Sequence, residues 1–326
     1  LIGGGIANQG TLTLTNSTVE NNSSGYIGGG IASDNTLTVI GSTLSGNQVS
    51  GLGGGLFPPG YTNGGGGGLY NSGKATLLDT TIAGNKSNYA GGGIYNSEQL
   101  TLTNVTLADN GAYNGGGLAN AACGCGNVSI YDTTITGNDA TQFGGGIYNA
   151  NGAVTLANSI VAGNGAGYQG PDIAGTGTTN YTGVNLFSQA GVGRAGTDVY
   201  VSPPDLSQVF ASLTTIDPDR VPNSGDEFQT GTLANNGGPV ETVLITQNGA
   251  AQDDGENAAV PSGLTDDARG DPRVFDGIVD LGAVELQVPE TPVVTPVAPN
   301  INASASETLT PSQLFSVSAP VGFPVL

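Results

Sequence analysis

Asp79 and Asp132 are the acidic residues whose placement comes nearest to a catalytic pair. They recur at the same position of a sequence repeat, with Asn104 at that position between them. Glycoside hydrolysis needs two carboxyl groups about 5 to 9.5 Å apart. Two repeat steps of ~4.8 Å each would hold Asp79 and Asp132 roughly 10 Å apart, outside that range. A lyase needs a basic side chain as its base, and the chain has no histidine and only two lysines, Lys74 and Lys86. The expectation is a protein that is not an enzyme, with these acids serving as chain corners.

Two further clusters could do chemistry. The segment QDDGENAAV gathers Asp253, Asp254 and Glu256 beside a glycine, and hard carboxylate oxygens suit Ca²⁺. These three are the calcium candidate, set against the reading of an acidic surface loop; no other cofactor is expected. Arg269 and Arg273 stand among Asp266, Asp267, Asp271, Asp276 and Asp280, which points to charge pairs that close the last coil.

The whole chain carries 26 acidic against 6 basic residues, a formal net charge of -20. Such a balance speaks against nucleic acid or an anionic membrane as a partner. No apolar run approaches the ~18 residues of a membrane span. Cys123 and Cys125 fit either a local bridge or two thiols in a loop.

A repeat positions these residues. The triplet GGG begins at Gly3, Gly28, Gly53, Gly66, Gly91, Gly115 and Gly144. Most steps are close to 25 residues, and LFPPGYTNGGGGG is an insertion. Aligned copies form columns. An aliphatic residue follows GGG, Asn stands two positions on, and alternating apolar pairs such as Leu37/Val39 and Leu100/Leu102 come next. The corner column Asn16, Gly41, Asp79, Asn104, Asp132, Asn158 follows, and each copy ends in Asn. Period-two alternation means strands, and Asx or Gly columns mean corners. Each copy is read as about three short strands. It is too small to bury its own core, so it must stack on its neighbours. The fold class is all-β: a parallel β-helix of about 25 residues per coil. Tyr70, Tyr95 and Tyr148 share one column and are expected at the surface by strand parity.

The expected organisation is regular coils over 1–165, irregular coils and an end module over 166–288, and a Pro-rich linker with an apolar tail over 289–326. Leu1, Ile2 and Ile6 at the first coil form one candidate self-assembly surface. Leu314, Phe315, Val317, Val321, Phe323, Val325 and Leu326 in the tail form the other. The tail could add as a strand to a neighbouring copy and build head-to-tail filaments.

The copies GGGIYNSEQLTLTNVTLADN and GGGIASDNTLTVIGSTLSGN resemble coils of bacterial secreted and surface β-helix proteins with GGGIYN-type repeats. GTLANNGGPVETV and TDDARGDPRVFDGIVDLGAVE resemble the end module of choice-of-anchor Q proteins. Arg269-Gly270-Asp271 falls inside that module's D-x-RG-x-PR pattern, so the resemblance implies a structural turn there. The resemblance covers most of residues 1 to 286. It implies a right-handed β-helix exported from a bacterium and no established catalytic activity. The tail lacks an apolar span and a sortase motif, a departure from that family's anchors. Two functions remain: a structural or adhesive protein of the cell exterior, with itself and surface glycans as partners, or a polysaccharide-binding or polysaccharide-cleaving module.

Overall fold

The computed structural model describes residues 3–51, 65–120, 125–193, 196–216 and 228–288, and the backbone of 293–296 and 315–318. Four parallel sheets run the length of a solenoid. The first holds seven strands, from Ile6–Asn8 through Leu69–Asn71 and Ile94–Asn96 to Ile173–Ala174. The second holds seven, from Thr11–Thr15 to Thr178–Thr182. The third holds eight, from Thr18–Glu20 to Val199–Tyr200. The fourth holds six, from Ser23–Ser24 to Gly165–Ala166. One strand of each sheet makes a coil, and coils are numbered here from Ile6.

The parallel β-solenoid expected from the repeat is thus present, with a correction: each coil has four strands, not three. The fourth lies just before GGG. Its sequences, such as Ser23–Ser24 and Gln48–Val49, are short and polar and carry no apolar alternation that could announce them.

Register follows the sequence columns. Ile6, Ile31, Leu69, Ile94, Leu118, Ile147 and Ile173 pair in turn. In the second sheet Leu37, Ala75, Leu100, Val128 and Val154 align, and their Thr neighbours point outward. These aliphatics form one buried core along the axis. Burying a Leu or Ile stabilises by about 1.5–3 kcal/mol relative to exposure.

The corners are left-handed. Asn16, Gly41, Asp79, Asn104, Asp132 and Asn158 all have φ between 47° and 56°. Asn and Asp tolerate this region better than other residues with a Cβ. The GGG triplets serve a different need at each position. Gly91 has φ 66°. A Cβ on Gly92 would stand 2.5 Å from the backbone oxygens of Gly111 and Gly116, so the next coil leaves no room for it.

Two Asn columns form ladders. In the longer one each side-chain amide donates to the next carbonyl, from Asn22 through Asn47, Asn85, Asn110 and Asn138 to Asn164. Asn164 donates in turn to Asp172 at 3.1 Å. The shorter ladder runs Asn71, Asn96, Asn120, Asn149.

Beyond Tyr200 the chain leaves the stack. Residues 165–200 continue the sheets. The 3-10 turn Pro203–Gln208 and the antiparallel pair Leu213–Ile216 with Phe228–Gly231 join none of the four sheets. From there to residue 288 the chain lies along the outer face of the third sheet. Thr81 donates to the Glu241 backbone oxygen at 2.5 Å, Thr136 bonds Thr230 at 2.7 Å, and Ala283 donates to Thr134 at 3.0 Å. A second apolar cluster, including Ile160, Leu186, Phe210, Val243 and Leu281, fills the interface. The end module therefore does not close the last coil; it braces the flank. No helix among the described residues is long and apolar enough to cross a membrane.

Candidate functional sites: a buried charge seam and an aromatic corner

The corner column and the end module meet in a seam. Asn104 donates to Asp79 Oδ1 at 2.9 Å and to the Asp266 backbone oxygen at 2.8 Å. Asn158 donates to the Glu256 backbone oxygen and accepts its N–H. Between them, Arg273 Nη2 lies 3.8 Å from Asp132 Oδ1 and 3.8 Å from Glu285 Oε2, with all three side chains about 1% exposed. The same nitrogen donates to the Asp280 backbone oxygen at 2.6 Å. Glu285 accepts backbone N–H groups from Phe275 and Asp280, both at 2.8 Å. Asp280 accepts from Asp253 at 2.7 Å and Leu286 at 2.6 Å.

The acids of the seam are hard to ionise. Burial raises Asp132 to about 6 against the pull of the Arg273 charge. Burial also raises Asp280 to about 6. Burial and the neighbouring Asp280 charge push Glu285 up to about 8. Asp79 rises to about 6 through burial, with the Asn104 amide opposing and the Asp267 and Asp266 charges adding. Removal from water disfavours the charged form, and nearby like charge compounds it.

Arg269 pairs with Asp267 at 2.9 Å and Asp271 at 3.1 Å. Asp267 Oδ1 accepts the N–H groups of Arg269 and Asp271, and Gly270 has φ 90°. The Arg-Gly-Asp tripeptide is thus a turn held by its own charges. Arg269 pairs within the module and Asp280 bonds only module groups; Arg273 alone reaches the flank, at Asp132 of the fifth coil, where the sequence pointed to the last coil.

The structure does not converge the calcium candidates. Asp253 has a left-handed backbone (φ 54°), Asp254 and Glu256 are exposed, and no three potential ligands gather among the described residues. Of the assembly residues, Ile6 is half-buried against the core. Phe315 and Val317 lie in a strand, Phe315–Ser318, that pairs antiparallel with Val293–Pro296. Leu1, Ile2, Leu314, Val321, Phe323, Val325 and Leu326 lie outside the described residues. Cys125 is in a disulfide; Cys123, the chain's other cysteine, also lies outside them.

One expectation fails instructively. Tyr70 and Tyr95 point away from the core, as parity requires, yet they are 6% and 7% exposed. Ile27 and Ala90, from the segments before GGG, pack over them together with Ala32 and Ala119. The Tyr70 and Tyr95 rings stack at 5.4 Å with planes 2° apart.

The Tyr70, Tyr95, Ala119, Tyr148 column runs in register from coil to coil at the GGG corner. A second column, which the sequence reading missed, stands two residues before Gly28, Gly91, Gly115, Gly144 and Gly170: Tyr26, Tyr89, Tyr113, Gln142 and Tyr168. Tyr26, Tyr113 and Tyr168 are 46%, 48% and 69% exposed. Phe143 joins the two columns, stacked on Tyr148 at 6.1 Å and edge-on to Tyr168 at 5.3 Å. This column is legible in the sequence by counting backward from GGG. Seven of the chain's 11 tyrosines border this corner, which makes it the aromatic face of the molecule.

No protein-family model and no curated protein matches the chain. What the geometry establishes is a parallel β-solenoid whose buried acids hold coil to coil and module to flank.

Proposed function

We propose that this protein is a non-catalytic structural and adhesive β-solenoid of a bacterial cell exterior. One observation carries the reading. The acids with raised pKa are engaged in structure: Asp79 with Asn104, Asp132 with Arg273, and Asp280 and Glu285 with backbone N–H groups inside a sealed seam. Asp172, also raised to about 6 by burial, ends the long Asn ladder and accepts from Ser188. A hydrolase needs a carboxyl pair open to a sugar; Asp132, Asp172, Asp280 and Glu285 are buried, and Asp79 is half-buried and bonded to Asn104.

The Cys125 disulfide supports an oxidising compartment. The GGGIYN-type repeats and the choice-of-anchor Q-like segment support an exported surface protein. Head-to-tail assembly belongs to the same proposal.

The test is incubation with pectin, alginate and neutral glycans, following new reducing ends. No turnover is expected. Reproducible depolymerisation that is lost in Asp79→Asn or Asp132→Asn would overturn the reading.

A further inference from the structure

We infer that the chain cuts itself once, at the Asp271–Pro272 peptide bond in mild acid, and that both pieces stay in place. This goes beyond the reading above: the event is internal to the chain, with no substrate turned over.

The bond sits in a turn that arranges its parts. The Asp271 carboxylate is placed to close a five-membered ring onto the carbonyl carbon of its own residue. Arg269 Nη2 holds its Oδ2 at 3.1 Å. The Asp267 N–H donates to the Asp271 carbonyl oxygen at 2.7 Å. On one side of the bond the Asp271 N–H donates to Asp267 Oδ1 at 3.1 Å. On the other the Arg273 N–H donates to the Thr265 backbone oxygen at 2.8 Å. The bond is thus fixed from both ends. Pro272 is exposed and the Asp271 side chain is 44% exposed, so water and its protons reach the bond.

The chemistry follows from this placement. A carboxylate oxygen of Asp271 adds to the carbonyl carbon of its own residue. Negative charge gathers on the carbonyl oxygen, where the Asp267 N–H already donates. The C–N bond to Pro272 then breaks. The nitrogen leaves with the bonding electrons and takes a proton from solvent, becoming a secondary amine. What remains at Asp271 is a cyclic anhydride, which one water opens to two carboxyl groups. The sum is hydrolysis of one peptide bond, with no oxidant, reductant or cofactor. Nucleophile and carbonyl share a residue, so no entropy of encounter is lost. Acid promotes the step by supplying the proton to the departing nitrogen.

Contacts on both sides of the cut keep the pieces together. The Ala268 N–H donates across it to the Ala283 backbone oxygen at 3.0 Å. Beyond the cut, Arg273 faces Asp132, Gly282 donates to the Asn158 backbone oxygen at 2.9 Å, and Leu281 lies in the second apolar cluster. The new amine of Pro272 would stand opposite Asp266, its partner in an antiparallel bridge.

The experiment holds the full-length protein at pH 4.5 and follows its mass under denaturing conditions. Fragments 1–271 and 272–326 should accumulate, and at neutral pH without denaturant they should elute together. The chain's other Asp-Pro bond, Asp217–Pro218, is the internal control. In the native protein it should break at least about tenfold more slowly, the difference that the fixed turn supplies. In concentrated urea the two rates should converge. Asp271→Asn should stop the cut. Asp271→Glu keeps a charge for Arg269 but enlarges the ring, and should slow it by about tenfold. Equal native rates at the two bonds would overturn the inference, because acid lability alone would account for them. So would an intact Asp271–Pro272 bond, a cut that persists in Asp271→Asn, or fragments that separate at neutral pH.

Discussion

Arg273, on the end module, lies 3.8 Å from Asp132, in a corner of the fifth coil, and neither side chain is more than 1% exposed. The same guanidinium faces Glu285 at 3.8 Å. One buried cation therefore compensates acids on both sides of the seam. Removing one partner of a buried pair costs about 3–5 kcal/mol, because the other is left charged and dry. Arg273→Met should lower stability by that amount in urea unfolding. It should also open the module to proteolysis before the coils. A loss below about 1 kcal/mol would show that apolar contacts alone hold the flank.

The seam also makes stability depend on pH. Asp132 and Asp280 ionise near 6 and Glu285 near 8 in the fold, above their ordinary values of 3.8 and 4.5. Between about pH 4 and pH 8 the native state binds more protons than the unfolded chain. Stability must then fall as pH rises through that window. The urea midpoint should drop from pH 5 to pH 8.5, and Asp132→Asn should flatten the slope. Asn is native in this column at 104 and 158, so the variant should fold. A midpoint that rises with pH would contradict the assignment of these acids.

Glycine in the triplets separates steric need from flexibility. A Cβ on Gly92 would meet the Gly111 and Gly116 oxygens at 2.5 Å, and backbone cannot move aside. A Cβ on Gly10 would meet nothing within 4 Å. Gly92→Ala should therefore cost several kcal/mol by forcing coils apart. Gly10→Ala should stay within about 0.5 kcal/mol of wild type or stabilise slightly. Equal effects in thermal melts would mean that the triplets are kept for chain freedom alone.

The coils were legible because register copies sequence: Leu100 lies against Ala75 and Val128 as their columns align. The left-handed corners were legible because Asn16, Gly41 and Asp79 share a chemistry that few other residues have. The fourth strand was not, since Ser23–Ser24 has no apolar alternation to read. The module's path was hidden for another reason. A solenoid column predicts its own neighbours along the axis, but Asp132 meets Arg273 through a fold-back that no periodicity encodes. The buried Tyr70 and Tyr95 were misplaced because strand parity decides which way a side chain points, not what the preceding segment lays over it.

Asn110 tests whether the polar ladder matters as much as the apolar core. Its side-chain oxygen accepts from both the backbone N–H and the amide of Asn85, each at 3.0 Å. Its own amide donates to the Ile82 backbone oxygen and to Asn138, each at 2.9 Å. Asn110→Ala would take this partner from two Asn85 donors and the Ile82 oxygen inside the solenoid, while Asn138 Oδ1 keeps the Asn110 backbone N–H. Each buried group left unpaired costs about 1–3 kcal/mol, less where neighbours relax. Leu102→Ala, in the fully buried core, should cost about 2–5 kcal/mol through the cavity it leaves. The two variants should therefore destabilise to a similar degree in urea. If Asn110→Ala cost under 1 kcal/mol while Leu102→Ala cost its full amount, the ladder would be a consequence of stacking and not one of its causes.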